Sequence, residues 1–302
     1  MSEKYLIVIA GPTASGKTAT AIEVAKHFGT SIVSADSRQF YREMSIGTAV
    51  PSPEELSQAT HYLIHNKSIF DNYNVADYEQ DAIYYLNQIF KSNKYAILTG
   101  GSGLFIDAVC NGIDEIPDID PEIRRQVEEK LEHEGITALQ EEVKLIDLEY
   151  YNIVDKDNPR RLQRAIEVYR QTGRTFTSYR TGNKAVRDFK VIKTALLWER
   201  QALCQRIDLR VDKMMEDGLL EEAVKLFEIN PKPNSLNTVG YVELFDYFDG
   251  KCTLDEAINA IKIHTHQYAK RQMTWLRKNN DYQWFEVSEL KQIFNTIETL
   301  SK

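Results

Sequence analysis

The chain has 302 residues, with 37 Lys and Arg against 45 Asp and Glu, and a formal net charge of −8. Apolar residues make up 42% and charged residues 27%, the balance of a globular protein long enough to bury a core without staples. The acidic total argues against a sequence-blind polyanion binder, and no apolar run approaches the roughly 18–20 residues that span a bilayer.

Tyr5–Ala10 is a continuous apolar run, which suits a strand buried on both faces of a parallel sheet. It is too short for a signal-peptide core, so a cytoplasmic protein is expected. A glycine-bearing loop follows, then a helix over Lys17–Phe28. Residues 31–34 and 95–99 read as a second and third strand, with a helix over 75–91 between them. This alternation indicates an α/β sheet with right-handed crossovers. The middle of the chain changes character. Residues 114–155 hold 14 acids and 4 bases, whereas residues 156–193 hold 11 bases and 3 acids. Both stretches read as mainly helical, punctuated by Pro117, Pro121 and Pro159. The expectation is a helical insertion over 115–186, with one acidic and one basic face, interrupting a core of 1–114 and 187–302. Residues 191–198 return to the sheet as a strand. Long helices are expected over 201–227 and 254–278, and a last strand over 282–287. The three cysteines, Cys110, Cys204 and Cys252, are widely spaced and contain no C-x-x-C, so they read as reduced thiols.

Gly11, Pro12, Thr13, Ala14, Ser15, Gly16, Lys17 and Thr18 match G-x-x-x-x-G-K-[ST] at every fixed position. They lie after a buried strand and before a helix, the context that the motif requires. Such a loop turns backbone N–H groups toward phosphate oxygens at a helix N-terminus. Lys17 adds a full charge, and the Thr18 hydroxyl is placed to hold Mg²⁺. The motif says polyphosphate, not ATP. A nucleotide hydrolase usually carries an Asp at the end of another strand, but the 95–99 strand runs into Gly100, Gly101, Ser102 and Gly103. An acid does follow the 31–34 strand, at Asp36. Ligands of open α/β sheets bind at such carboxyl ends, so Asp36 is expected to face the loop as a metal ligand or a general base, unless it merely caps a helix.

Further motifs follow in order: Asp36-Ser37-Arg38-Gln39-Phe40-Tyr41, Ile46-Gly47-Thr48-Ala49 and Gly100-Gly101-Ser102-Gly103-Leu104. After them come Asn158-Pro159-Arg160-Arg161-Leu162-Gln163-Arg164-Ala165, Val239-Gly240-Tyr241 and Tyr268-Ala269-Lys270-Arg271-Gln272-Met273-Thr274-Trp275. Together with the loop, this set resembles the bacterial tRNA dimethylallyltransferase family, also called tRNA isopentenyltransferases or IPP transferases, over essentially the whole chain. The resemblance implies a P-loop NTPase-like core with a parallel sheet flanked by helices, plus a helical insertion that binds the anticodon stem-loop. It implies transfer of a dimethylallyl group from dimethylallyl diphosphate to N6 of the adenosine 3′ of the anticodon, in tRNAs reading codons that begin with U. Mg²⁺ is the implied cofactor, and a monomer is expected.

The resemblance also carries roles for individual residues. Asp36 is the implied general base, because the delocalised exocyclic amine needs its proton removed as the C–N bond forms. Thr13 matches the residue near the bridging oxygen of the diphosphate. Lys17, the loop amides and Arg210 are to stabilise charge on the leaving diphosphate. The target adenine must be flipped from its stack, and Asp36, Ser37, Arg38 and Gln39 match the positions around it. Ser102, Arg124, the segment Arg160, Arg161, Leu162, Gln163 and Arg164, and also Gly240, Tyr241, Lys270 and Arg271, match positions that contact the tRNA. Val50 and His266 depart from the pattern, where Lys and Arg are usual. Trp275 reads either as core or, with Arg271 and Lys278 on one helix face, as a base-stacking surface. His264 and His266, two apart on a helix, face apart and do not suggest a metal site. A P-loop small-molecule kinase, with 156–174 as an arginine-rich lid, and a non-catalytic RNA-binding switch are the alternatives.

Overall fold

A computed structural model describes residues 3–182 and 184–302. The chain forms two compact units, Met1–Asn111 with Val186–Lys302, and Gly112–Ala185.

The first unit is built on six strands: β1 (Tyr5–Ala10), β2 (Ile32–Ser34), β3 (His61–Tyr62), β4 (Tyr95–Gly100), β5 (Lys190–Leu197) and β6 (Gln283–Glu286). Their order is β3-β2-β4-β1-β5-β6, and each neighbouring pair is parallel. β1 lies between β4 and β5 and is buried along its whole length, which is why its six residues are apolar without alternation. In chain order the helices are α1 (Lys17–Phe28), α2 (Pro53–Gln58), α3 (Val75–Ile89) and α4 (Gly103–Asn111) in this unit. The second unit holds α5 (Pro121–Ile146), α6 (Leu148–Ile153), α7 (Pro159–Thr172) and α8 (Phe176–Tyr179). The chain returns to the first unit with α9 (Arg200–Glu216), α10 (Leu219–Phe227), α11 (Tyr241–Phe248), α12 (Leu254–Arg277) and α13 (Leu290–Leu300).

Each sheet face is covered because β-strand side chains alternate between faces. Ile7 and Ile9 pack with Ala21, Val24 and Ala25 of α1 and Ile293 and Ile297 of α13. Leu6 and Val8 pack on the other side with Tyr78 and Leu86 of α3 and Val109 of α4. A third cluster, containing Phe40, Met44, Leu219, Tyr241, Leu244 and Ile261, joins α10, α11 and α12 to the segment after β2. The second unit has its own core of Val127, Leu139, Val143, Tyr150, Leu162 and Ile166. Its opposite charges partly neutralise each other: Glu142 pairs with Lys130 at 2.6 Å and Arg170 at 2.8 Å.

The helix expected over 201–227 is two helices. Gly218, at φ 100°, sets a left-handed step between α9 and α10, a conformation that glycine alone adopts freely. The two-residue β3, α11 and α13 were not expected from the sequence; β3 is too short to show a period. α5 bends at Gly135, φ 76°.

Candidate active site

The phosphate loop joins β1 to α1 at the carboxyl end of the central strand. Its turn requires left-handed backbone at Ala14 (φ 61°) and Gly16 (φ 89°). A Cβ on Gly11 would lie 2.7 Å from Ser15 Oγ, so a side chain there would have to displace the Ser15 hydroxyl. Lys17 Nζ donates to the Pro12 carbonyl at 2.7 Å, folding back across the loop. Burial, then the neighbouring Arg210, lowers the Lys17 pKa from 10.5 to about 8, while Asp36 opposes the shift.

Two helices brace the loop. From α9, Arg206 donates through Nε to the Ala14 carbonyl at 2.9 Å and lies over the Trp198 ring. Trp198 in turn donates to the Ser15 carbonyl at 2.9 Å. One turn along α9, Arg210 reaches Thr13 Oγ1 at 3.4 Å. Burial lowers the pKa of its guanidinium, with Asp36 acting against that shift; an arginine stays charged under such a shift. From α12, the Gln272 side chain accepts from Thr13 N–H at 2.8 Å and donates to the Gly101 carbonyl at 2.9 Å. Close packing of this kind explains the glycines at the end of β4 and just beyond it. A Cβ on Gly101 would meet Gln272 at 2.1 Å, one on Gly103 would meet Trp275 at 2.2 Å, and one on Gly100 would meet the Ala35 carbonyl at 2.2 Å.

Asp36 follows β2, as expected, and its carboxylate accepts from Arg38 N–H at 3.0 Å. It does not cap a helix, since no helix starts until α2. Ser102 Oγ accepts from Ser37 N–H at 3.0 Å. Arg38 donates to the carbonyls of Ser235 and Asn237 at 3.3 and 3.4 Å. Gln39 is held at both ends, accepting from Ser34 Oγ at 3.2 Å and donating to the Ala49 carbonyl at 2.9 Å. Tyr268 of α12 faces this segment. Burial, then Asp36, raises its pKa, and Ser102 and Gln272 are its hydrogen-bond neighbours.

These parts surround one cavity of about 310 Å³. Thr13, Arg210 and Asp36 line its polar side, while Ile207, Val211, Met214, Leu219, Val239 and Ile261 give it an apolar wall. Ser37, Arg38, Gly47, Thr48, Gly240 and Tyr268 also border it.

Other residues singled out from the sequence fall elsewhere. Lys270 and Arg271 stand on the exposed side of α12. Arg124, Arg160 and Arg161 are exposed on the second unit, while Gln163 and Arg164 are half-buried, with Arg164 3.6 Å from Glu167. Two expected RNA contacts are corrected. Leu162 is fully buried in the core of its unit, and Tyr241 is fully buried with its hydroxyl on Glu222 at 2.7 Å; neither side chain is open to a ligand. Residues 156–174 are no lid, because Leu162, Ala165 and Ile166 form the core of the second unit. Trp275 packs against Tyr282 and under Gly103, as core. His264 and His266 pair separately with Glu243 and Asp208, and the described residues hold no cluster of three or more His, Cys, Asp or Glu suited to a metal.

Sequence reasoning passed over Gln272, Tyr268, Arg206 and Trp198. A signal existed for the first two. They lie four apart on α12, hence on one face, with Lys270 on the opposite side.

A central strand, a glycine loop wrapped on a helix N-terminus and a cavity at the strand ends define a phosphate-binding α/β protein of the P-loop class. The model of the IPP transferase family matches residues 39–279. The tRNA dimethylallyltransferase of Christiangramia forsetii is 50% identical over 98% of both chains, and that of Flavobacterium johnsoniae is 48% identical over 94% of both. The full-length tRNA isopentenylpyrophosphate transferase of Bacillus halodurans superposes with a TM-score of 0.73 at 33% identity, covering 99% of this chain and 97% of the other. A eukaryotic dimethylallyltransferase acting on tRNA shares the fold, with a TM-score of 0.79 at 24% identity, over 96% of this chain and 75% of the other. The chain belongs to the IPP transferase family.

Proposed function

We propose that this chain, a prenyltransferase of the IPP transferase family that transfers a dimethylallyl group to tRNA, takes that group from dimethylallyl diphosphate. The acceptor in this reading is N6 of the adenosine 3′ of the anticodon, in tRNAs reading codons that begin with U. One observation carries the donor assignment. A single cavity holds Thr13 and Arg210, the Asp36 carboxylate and a wall of aliphatic side chains. Prenyl transfer to an amine needs these three surroundings: cations for the diphosphate head, apolar surface for the allylic tail and a base for the acceptor amine. A kinase would not need the aliphatic wall beside its phosphate loop, and the arginine-rich helix of residues 156–174 is packed into the second unit's core.

In this reading the N6 lone pair attacks C1 of the dimethylallyl group. The C1–O bond breaks, and its electron pair leaves with the diphosphate. Asp36 accepts the N6 proton as the new bond forms. Arg210 and Lys17 stabilise charge that grows on the leaving oxygens, which lowers the barrier more than it tightens ground-state binding. Thr13, whose N–H is held by Gln272 and whose hydroxyl meets Arg210, keeps the bridging oxygen in line. The loop's Ser15 hydroxyl is buried without a partner, as suits a loop formed to receive a polar ligand.

Mg²⁺ fits this site as a substrate-held ion. It usually keeps several waters and takes one or two protein oxygens together with substrate phosphates, so no cluster of carboxylates is required. The Thr18 hydroxyl, partly exposed in the first turn of α1, would supply a protein oxygen. Bound there, the ion would neutralise part of the diphosphate charge.

RNA binding is assigned to Arg124, Arg160, Arg161, Lys270 and Arg271, whose side chains are exposed, and to the Asp36–Gln39 segment for the flipped base. The protein acts as a monomer in the cytoplasm in this reading. The test is direct. The protein is incubated with labelled dimethylallyl diphosphate, Mg²⁺ and an unmodified anticodon stem-loop bearing three consecutive adenosines. Label should enter the RNA; folded protein that leaves the RNA unlabelled, or that transfers phosphate from ATP to a metabolite instead, overturns the proposal.

A further inference from the structure

The Glu222 side chain does not line the cavity, yet it joins three of the segments that do. It lies in the first turn of α10, one turn after Leu219. Its carboxylate accepts from Ser45 N–H at 2.9 Å, from Ile46 N–H at 3.0 Å and from Gly47 N–H at 3.0 Å. The Tyr241 hydroxyl donates to it at 2.7 Å. Three consecutive backbone N–H groups directed at one anion form an anion-binding nest, and here the anion is a side chain from 177 residues away.

The consequence for the cavity follows from what is attached to each donor. Gly47 and Thr48 are cavity wall, Leu219 is cavity wall, and Val239 and Gly240 immediately precede Tyr241. The Tyr241 ring lies so close under the loop that a Cβ on Gly47 would sit 2.5 Å from Cζ. The loop then continues to Ala49, whose carbonyl holds the Gln39 amide at 2.9 Å. Gln39 is three residues beyond Asp36 and shares Ser34 Oγ with the Asp36 backbone N–H, at 3.2 and 3.4 Å. Glu222 thereby has a continuous polar connection to the segment that carries the base, while its own hydrogen bonds go to the 45–47 backbone and Tyr241 and not to the phosphate loop.

We propose that Glu222 is a positioning residue for the acceptor side of the reaction. It fixes the 45–48 loop against α10 and Tyr241, and through Gln39 sets where the acceptor amine meets Asp36. This rests on the function proposed above. The carboxylate form matters, because all four of its contacts are donors. A glutamine of the same shape keeps one acceptor oxygen but turns an N–H₂ group toward backbone N–H groups.

The test compares Glu222→Gln, Tyr241→Phe and the exposed neighbour Glu221→Gln with the parent protein, in steady-state transfer and in amide hydrogen exchange. In Glu222→Gln, kcat should fall about 10–100-fold, the range expected for a misplacement near 1 Å, with KM for the diphosphate within about twofold of the parent. Exchange at residues 45–48 should accelerate, while residues 11–18 keep their protection. Tyr241→Phe, which removes a single hydrogen bond, should give the same split with a smaller loss, and it carries the test if Glu222→Gln does not fold. Glu221→Gln should match the parent. Parent-like kcat in either folded variant overturns the proposal, as does a rise in diphosphate KM that parallels the fall in kcat. If the parent itself transfers nothing, the functional reading fails; the exchange pattern then still decides whether Glu222 holds the loop.

Discussion

The phosphate side of the cavity is eight consecutive residues, Gly11–Thr18, running from the end of β1 into the first turn of α1, and its shape follows from its own sequence: two left-handed residues, a glycine packed on Ser15 and a lysine folded over Pro12. The acceptor side has no such unit. It is assembled from Asp36–Gln39, the 45–48 loop, α10 and residues 237–240, held by hydrogen bonds between residues far apart in the chain. The first is a local motif given a tertiary brace; the second exists only as tertiary structure. The difference separates what anchors the diphosphate from what presents the nucleophile, so substitutions on the two sides should leave different kinetic signatures.

The largest effect belongs to the acceptor side. Asp36→Ala should lower kcat by about 10²–10⁴-fold, the usual contribution of a general base, with KM for the diphosphate little changed. Single-turnover transfer measures this, and loss of RNA affinity with turnover intact would contradict the assignment. Next comes a pH effect confined to the phosphate side. Lys17 titrates near 8 in the free folded protein, against 10.5 ordinarily. Diphosphate binding favours the charged form, so the complex takes up a proton above pH 8, and donor KM should rise by up to about tenfold per pH unit there. The same shift acts on stability with a defined sign. Between pH 8 and 10.5 the unfolded chain holds a proton that the folded free protein has lost, so this group makes the free protein more stable as pH rises through that window. Lys17→Arg should abolish both trends, read from KM against pH and from denaturant midpoints without ligand.

A smaller loss tests the brace. Gln272→Leu leaves Thr13 N–H and the Gly101 carbonyl unpaired, which should cost about 1–3 kcal/mol of stability. Donor KM should rise more than kcat falls, because Gln272 holds the phosphate loop; equal effects on acceptor and donor parameters would blur the division between the two sides. The smallest effect is ionic. Arg161→Ala should weaken stem-loop binding and reduce the slope of log K against log salt by about one, leaving donor KM unchanged.

Legibility divided along the same line. The loop, α1 and the strands β1, β4 and β5 could be read within a few residues, because buried parallel strands are apolar runs and the loop has fixed glycines. Asp36 could be placed at a strand end on topology alone. Glu222 could not be found, since its partners are an ordinary loop and a tyrosine on another helix, and one more glutamate in an amphipathic helix carries no mark. Leu162 and Tyr241 went the other way. Each sits inside a recognisable motif, but a motif records that a residue matters without recording which way it points: Leu162 faces its unit's core, and Tyr241 faces Glu222. Gly218 shows the remaining limit, for a single left-handed glycine divides α9 from α10 where the hydrophobic pattern runs on.

The order of strands has a consequence for synthesis. β1 is made about 180 residues before β5, one of its two sheet neighbours, which begins at Lys190, and the glutamine that holds Thr13 is residue 272. Contacts between distant parts of a chain form late, and a chain emerging from the ribosome folds from its N-terminal end. The glycine loop therefore exists as sequence long before it is a braced site. A chain interrupted anywhere before α12 would carry the whole phosphate motif while lacking the contact that holds Thr13, so the braced phosphate site exists only once α12 has been made.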